Sequence, residues 1–270
     1  MYEVTTRLTD TCKLVEALIG TSPVKDLWQV RDGGMPVFVH TVDVTLLAIE
    51  NISDWQLRYG SLDLAAVTLG SLLHDLTKAT CRAHRQFTHS WVMCNQPDIA
   101  VKEAMDALDA VQLSTGLPID FQLADHVSHI VASHHGQWGK VNPATPEAAL
   151  VHWCDIYSSQ HHRLTPVDAN DVLPLLADGL TKTKAARFLG ISVSTVNSRL
   201  SESCAVEGLC SFDDLVSLWT SRGWVRSGSP ERIAQLRRAR WLMEEAVNAS
   251  QLISSALLAL ESVASGYNKS

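Results

Sequence analysis

No apolar run in the sequence reaches the ~18 residues that a membrane-crossing helix needs, so neither a spanning segment nor a membrane partner is expected. The first residues, MYEVTTRLTDTCK, lack a basic start followed by an apolar stretch. No signal peptide is expected, and the cytoplasm is the expected compartment. The six cysteines (Cys12, Cys81, Cys94, Cys154, Cys204 and Cys210) form no CxxC pair, which leaves reduced, mostly buried thiols as the expectation. Glycine and proline are sparse, at 14 and 9 of 270 residues, and no pair of stretches alternates convincingly as strands would. An excess of positive charge is also missing. The net charge of −7 argues against nucleic acid coating the whole surface and leaves a local basic patch open.

What is present leans to an all-α protein rich in alanine and leucine, long enough for one large or two ordinary domains. Helical spacing runs over 4–20, and 21–35 reads as a loop closed by Gly33-Gly34. Pro36 suits the first turn of a helix through "PVFVHTVDVTLLAIENI". Further helices are expected over 61–78 and 98–113, from Asp120 to a stop at Gly136, and from Thr145-Pro146 through "PEAALVHWCDIYSSQHH". A first domain is expected over 1–166 and a second, helical one over 167–270, beginning near "LTPVDAND".

All eleven histidines lie between His40 and His162. Several ionisable groups fall on otherwise apolar helices: His40 between Val39 and Val42, His74-Asp75 after Leu72-Leu73, His134-His135 at a helix end, and Asp155 after Trp153-Cys154. Burying any one of them unpaired is costly. Gathering them around a divalent cation removes that cost, because imidazoles and carboxylates bring lone pairs and charge. Taken singly, each is more often a hydrogen-bonded core histidine or a helix cap. It is the set that points to a metal.

The segments "FVHTVDVTLLA", "GSLLHDLTK", "VASHHG" and "TPEAALVHWCDIYSS", in this order, resemble the HD-domain superfamily of metal-dependent phosphohydrolases. The last two are most similar to the HD domain of bacterial 3′–5′ exoribonucleases. The resemblance covers about residues 30–165. It implies a helical bundle with His40, His74, Asp75 and Asp155 as metal ligands and Asp75 bridging to a second ion where two bind. It matches His134 and His135 to the double-histidine segment. His89, in "FTHSW", is the candidate for the remaining ligand, with His84 as its rival. His126 and His129 read as supporting partners, and His152, His161 and His162 as surface or packing residues. Lys78 matches a lysine that often follows the pair and would hold a substrate phosphate, although Thr77 stands where a glycine is usual. Asp75 and Lys78 are the residues expected to act in catalysis. The implied cofactor is one or two divalent ions. Ligand softness suits Mn²⁺, Fe²⁺, Ni²⁺ or Zn²⁺, with Mg²⁺ a poorer match.

In the second half, "LTKTKAARFLGISVSTVNSRL" (180–200) resembles a helix-turn-helix, with Ala186 at the helix contact, Gly190 in the turn and Ser192 as cap. Lys182, Lys184, Arg187, Ser194, Thr195, Asn197 and Arg199 are the residue types that meet phosphates and base edges, and the segment holds no acid. The plainer reading is a hairpin that packs on its neighbours or forms an oligomer interface. Arg232, Arg237, Arg238 and Arg240 either extend this basic surface or form a solvated helix face. The expected function is hydrolysis of a phosphoester in DNA or RNA, with the second domain positioning the polynucleotide. The alternatives are a small-nucleotide phosphohydrolase with a regulatory or assembly domain, and a DNA-binding regulator whose HD site senses a ligand without turnover.

Overall fold

The structure is a computed structural model that describes residues 2–162, 169–222 and 230–267, with the backbone alone for 2–7, 230–232 and 261–267. The helices are α1 (Tyr2–Gly20), α2 (Ser22–Asp26), α3 (Val37–Tyr59), α4 (Leu64–Leu73), α5 (Thr77–His84), α6 (His89–Asn95), α7 (Asp98–Thr115), α8 (Phe121–Ser133), α9 (Pro146–His161), α10 (Ala169–Ala177), α11 (Lys182–Leu189), α12 (Val193–Glu207), α13 (Phe212–Ser221), α14 (Pro230–Glu245) and α15 (Ala249–Tyr267). Among the described residues the only ladder pairs β1 (Arg31–Asp32) with β2 (Met35–Pro36). The fold is all-α.

The chain divides into two units, residues 1–31, 36–158 and 245–270, and residues 32–35 with 159–244. This differs from a division into 1–166 and 167–270. Residues 166 and 167 themselves lie outside the described ones. The C-terminal stretch joins the first unit because α15 carries an apolar stripe at Ala249, Ile253 and Leu257, which is buried, and α15 packs on α1 and α3. Residues 21–35 are also more ordered than a loop: Pro23 lies in the first turn of α2, and a 3-10 turn, Leu27–Gln29, follows.

In the first unit, α3 is buried on every side from Val37 to Ile49, as expected of a helix that is apolar nearly all round. It packs on α4, and α4 packs on α8. Asp63 caps α4 by accepting from the amides of Ala65 and Ala66, and its own amide donates to the buried Glu147 Oε1 at 3.0 Å. Asp120 and Thr145 cap α8 and α9. Gly70 sets the α4–α8 approach. A Cβ there would lie 2.7 Å from Ile130 Cγ2, so any larger residue pushes the helices apart. Gly70 is one turn before His74, and Ile130 one turn before His134. The tightest contact of the two helices thus brings their C-terminal ends together.

In the second unit, α10, α11, α12 and α13 pack on one another, burying Val172, Leu173, Leu189, Val196, Leu200 and Leu215. Gly190 at φ 70 ends α11, and Ser192 caps α12 through the amide of Thr195 at 3.0 Å.

Candidate metal centre

The expected single helix over 61–78 is broken. α4 ends at Leu73, residues 74–76 form a turn, and α5 starts at Thr77. The break lets adjacent His74 and Asp75 point at one place, which two neighbours within a continuous helix do not do. Helix α8 likewise stops at Ser133, three residues before Gly136, and leaves His134-His135 at its end. His40 comes from α3, His89 from the first position of α6 and Asp155 from the middle of α9. These residues all belong to the first unit.

His40, His74, Asp75, His89 and His134 are buried. The Asp75 carboxylate is the centre. Its Oδ2 lies 3.7 Å from His40 Nε2, 3.4 Å from His74 Nε2 and 2.8 Å from Lys78 Nζ. Its Oδ1 lies 3.1 Å from His89 Nε2 and 3.9 Å from His134 Nε2. One carboxylate thus faces two histidine sets. Asp155 Oδ1 closes the first, 3.0 Å from His40 Nε2 and 3.8 Å from His74 Nε2. His135 completes the second, its ring 4.6 Å from that of His134 and 5.1 Å from that of His89. Two groups can each hold an ion: His40, His74 and Asp75, and His89, His134 and His135.

Hydrogen bonds behind the rings fix which nitrogen faces the centre. His74 Nδ1 donates to the carbonyl of Ser71 at 2.6 Å, and His134 Nδ1 to that of Val131 at 2.8 Å. Both Nε2 atoms are then left with lone pairs. His74 Nε2 is buried with no hydrogen-bond partner, an orphan that a cation would satisfy. For His40, the Ser158 hydroxyl donates to Asp43 Oδ2 at 2.7 Å, so it must accept from His40 Nδ1 at 3.0 Å. His40 Nε2 then meets a carboxylate oxygen of Asp155 at 3.0 Å. That is lone pair against lone pair unless a proton or a metal ion lies between. Thr77 Oγ1 is 2.6 Å from His89 Nδ1 and anchors that ring from behind. A threonine where a glycine is usual therefore has a task here. The donors and their orientation fit a divalent cation.

The electrostatics agree. Burial alone would raise the carboxyl of Asp75, but the Lys78 ammonium, His74 and the hydrogen bond from His89 hold it well below the usual carboxylate range. Asp155 is held low in the same way, against burial, by His40 and His74. Burial and the neighbouring histidines push His134 well below the ordinary imidazole value, and His135 down to about 4. His74 goes the other way: burial opposes its charge, but Asp75, Asp155 and the Ser71 carbonyl prevail and raise it. The centre holds two ionised carboxylates and, at His134 and His135, neutral rings at pH 7.

Of the other histidines, His84 ends α5 exposed and lies outside both groups, so it does not rival His89. His126 and His129 do not support the centre. His126 Nδ1 lies 3.9 Å from Asp63 Oδ2, and His129 Nε2 accepts from the amide of Ala144 at 2.8 Å, both near the starts of α4 and α9. His152 does more than pack. Its Nδ1 donates to the carbonyl of His134 at 2.5 Å, and Gly136, at φ 54, leaves the room its ring needs. Ser158 and Asp43 are not among the residues expected from the sequence, and His152 was expected only on the surface or in packing. The legible signal was polar residues one helical turn from a ligand, Asp43 after His40 and Ser158 after Asp155.

In the second unit, Lys184, Arg187 and Ser194 are exposed, Thr195 and Asn197 half-buried. Lys182 Nζ sits 3.8 Å over the Phe212 ring, and Arg199 pairs with Glu202 at 3.1 Å. Arg237 pairs with Asp178 at 3.0 Å, and Arg240 reaches the same carboxylate at 3.7 Å and Glu244 at 3.0 Å. That stretch is largely a paired helix face. The side chain of Arg232 lies outside the described ones. All six cysteines are free.

Residues 37–160 match the family of the HD domain. No curated protein and no solved structure matches the chain. The HD domain implies metal-dependent phosphohydrolase activity, and both candidate ion groups lie inside the matched residues.

Proposed function

Proceeding from an HD domain at residues 37–160, we propose that the protein is a metal-dependent nuclease: it hydrolyses a phosphoester of a nucleic acid at the cluster centred on Asp75. His40, His74, Asp75 and Asp155 would hold one divalent ion, and His89, His134 and His135, beside Asp75, would hold a second where two bind. Imidazole-rich donors favour Mn²⁺, Fe²⁺, Ni²⁺ or Zn²⁺ over Mg²⁺. When bound, such an ion supplies an acidified water and a counter-charge for the phosphoryl oxygens. The ionised Asp75 and Asp155 bring the negative charge that retains it, and the backbone carbonyls of Ser71 and Val131 take the Nδ1 protons of His74 and His134, so that each ring turns Nε2 to the centre. Lys78, whose side chain is 15 % exposed beside Asp75, is placed to take a phosphoryl oxygen as a point charge. The α11–α12 hairpin, helix-turn-helix-like, holds the polynucleotide through Lys184, Arg187, Ser194, Thr195 and Asn197.

The observation that carries this reading is the contact of His40 Nε2 with Asp155 Oδ1 at 3.0 Å beside the orphaned His74 Nε2. One observation favours a small-nucleotide substrate instead: Lys182 and Arg199 are engaged within the second unit, which thins its phosphate-binding set. Elemental analysis alongside a panel of phosphoesters separates the two. Metal-dependent loss of a labelled single strand supports the nuclease. Phosphate release from mononucleotides alone supports the second reading, and strand binding that survives His74→Ala, with no hydrolysis of anything, contradicts both.

A further inference from the structure

Beside the metal centre, the first unit holds a 590 Å³ cavity between the segment 23–30 and α5. One wall starts at Leu76, the residue after Asp75, and runs along α5 to Arg82, His84 and Arg85; Asp26 and Gln29 face it. Arg82 and Arg85 are exposed, and among the described residues neither has a carboxylate within ion-pair distance. Outside the lining, Glu103 accepts from Thr80 Oγ1 at 3.0 Å. Among the residues that line the cavity, two guanidiniums face one carboxylate.

Arg85 is out of place by backbone rules. At φ 54 it is the one left-handed residue other than glycine among the described ones, and it ends α5 where glycine is the unstrained choice. Arg85 holds its guanidinium at the cavity at the cost of that strain, and strained positions cluster where a side chain is used. Two residues on, Phe87 stacks on Trp91 with ring centres 4.1 Å apart at 13°, and both rings are exposed, 44 % and 36 %. Two residues span at most about 7 Å, so the backbone of Phe87 follows closely on the cavity-lining Arg85. His89 lies between the two rings in the sequence.

We infer that this ridge, residues 82–91, holds a single strand of nucleic acid where it leaves the metal centre. Arg82 and Arg85 take backbone phosphates in the cavity, and the Phe87–Trp91 pair stacks an unpaired base. The inference rests on the nuclease reading above and names the form of its substrate. A duplex keeps its base faces stacked inside and offers the rings nothing, whereas a single strand offers a base face and a phosphate per nucleotide.

The test uses the full chain in EDTA with a 5-bromouracil strand of about 12 nucleotides, as DNA and as RNA, read by anisotropy and by mapping photo-cross-links. Cross-links are expected on the peptide containing Phe87 and Trp91. Trp91→Ala and Arg82→Ala should each weaken binding about 10-fold. Arg85→Gly should weaken it similarly while the melting temperature stays level or rises, since glycine suits the backbone. Cross-links confined to α11–α12, or none, overturn the inference, as do Trp91→Ala and Arg85→Gly variants that bind like wild type. If those variants cleave a strand as fast as wild type on adding Mn²⁺, the ridge falls and the nuclease stands. Cross-links at Trp91 without any cleavage have the opposite meaning.

Discussion

Replacing Ser158 by alanine removes a buried hydroxyl that would not itself hold an ion but supports the ring of His40. The hydroxyl links Asp43 Oδ2, at 2.7 Å, to His40 Nδ1, at 3.0 Å. Its loss takes a charge-assisted hydrogen bond from a fully buried carboxylate and strips the imidazole of its acceptor. At about 1.5–3 kcal/mol for the first and a similar cost for the second, partly recovered by relaxation, the loss of stability is about 2–4 kcal/mol. The functional loss is separate. Without the acceptor the His40 ring is free to rotate or to move its proton to Nε2, and removing such a support lowers metal affinity about 10- to 100-fold. Urea unfolding in EDTA reads the first number, and calorimetric titration with Mn²⁺ of the folded variant reads the second. A variant that is destabilised as expected but binds Mn²⁺ like wild type would refute the reasoning, because Ser158 would then be packing and not orientation.

Asp75→Ala should remove bound metal and reduce phosphoester hydrolysis to background, checked by elemental analysis and by release of phosphate; full metal content in that variant would contradict the shared-carboxylate geometry. Gly70→Ala should cost about 1–3 kcal/mol by forcing a Cβ onto Ile130, and Ile130→Val should recover part of it, as thermal melts of the single and double variants would show. His134 and His135 have depressed values in the folded chain, so the unfolded chain takes up protons first as pH falls. Their contribution to stability is intact above about pH 6.5 and, for His135, is lost progressively down to about pH 4. His74, raised, acts in the opposite sense and stabilises the metal-free protein below its own value. His129 is depressed by burial as well, so metal-free stability should decline on acidification, measured by urea midpoints across that range. Gly136→Ala should displace His152 from the His134 carbonyl and lower metal affinity with little change in the melt of the second unit.

The helices were legible because alanine- and leucine-rich runs with capping residues leave few alternatives: Asp120, Thr145 and Ser192 cap where the sequence places caps. The convergence of His40, His74, Asp75, His134, His135 and Asp155 was legible for a physical reason too, whereas His89 was reached only through the family resemblance. A buried ionisable group demands a partner, and several on separate apolar helices demand a common one. What could not be read were features set by three-dimensional packing. The break at 74–76 follows from the side chains converging there, and no glycine or proline marks it. The return of residues 245–270 to the first unit depends on which apolar stripe α15 finds, and a stripe does not name its partner. His126 and His129 share α8 with the double histidine but lie two turns and one turn or more before it, which directs them to the starts of α4 and α9 instead. Ser158 and Asp43 were hidden because a serine and an aspartate on a helix look like surface until the ring between them is placed.

The most direct measurement is a crystal structure grown with Mn²⁺ and recorded at the manganese absorption edge. An anomalous peak is expected about 2.0–2.3 Å from His40 Nε2, His74 Nε2 and one oxygen each of Asp75 and Asp155, with the His74 ring still donating through Nδ1 to Ser71. A fully loaded crystal whose peaks lie elsewhere, with His40 Nε2 still 3.0 Å from Asp155 and nothing between them, would contradict the account.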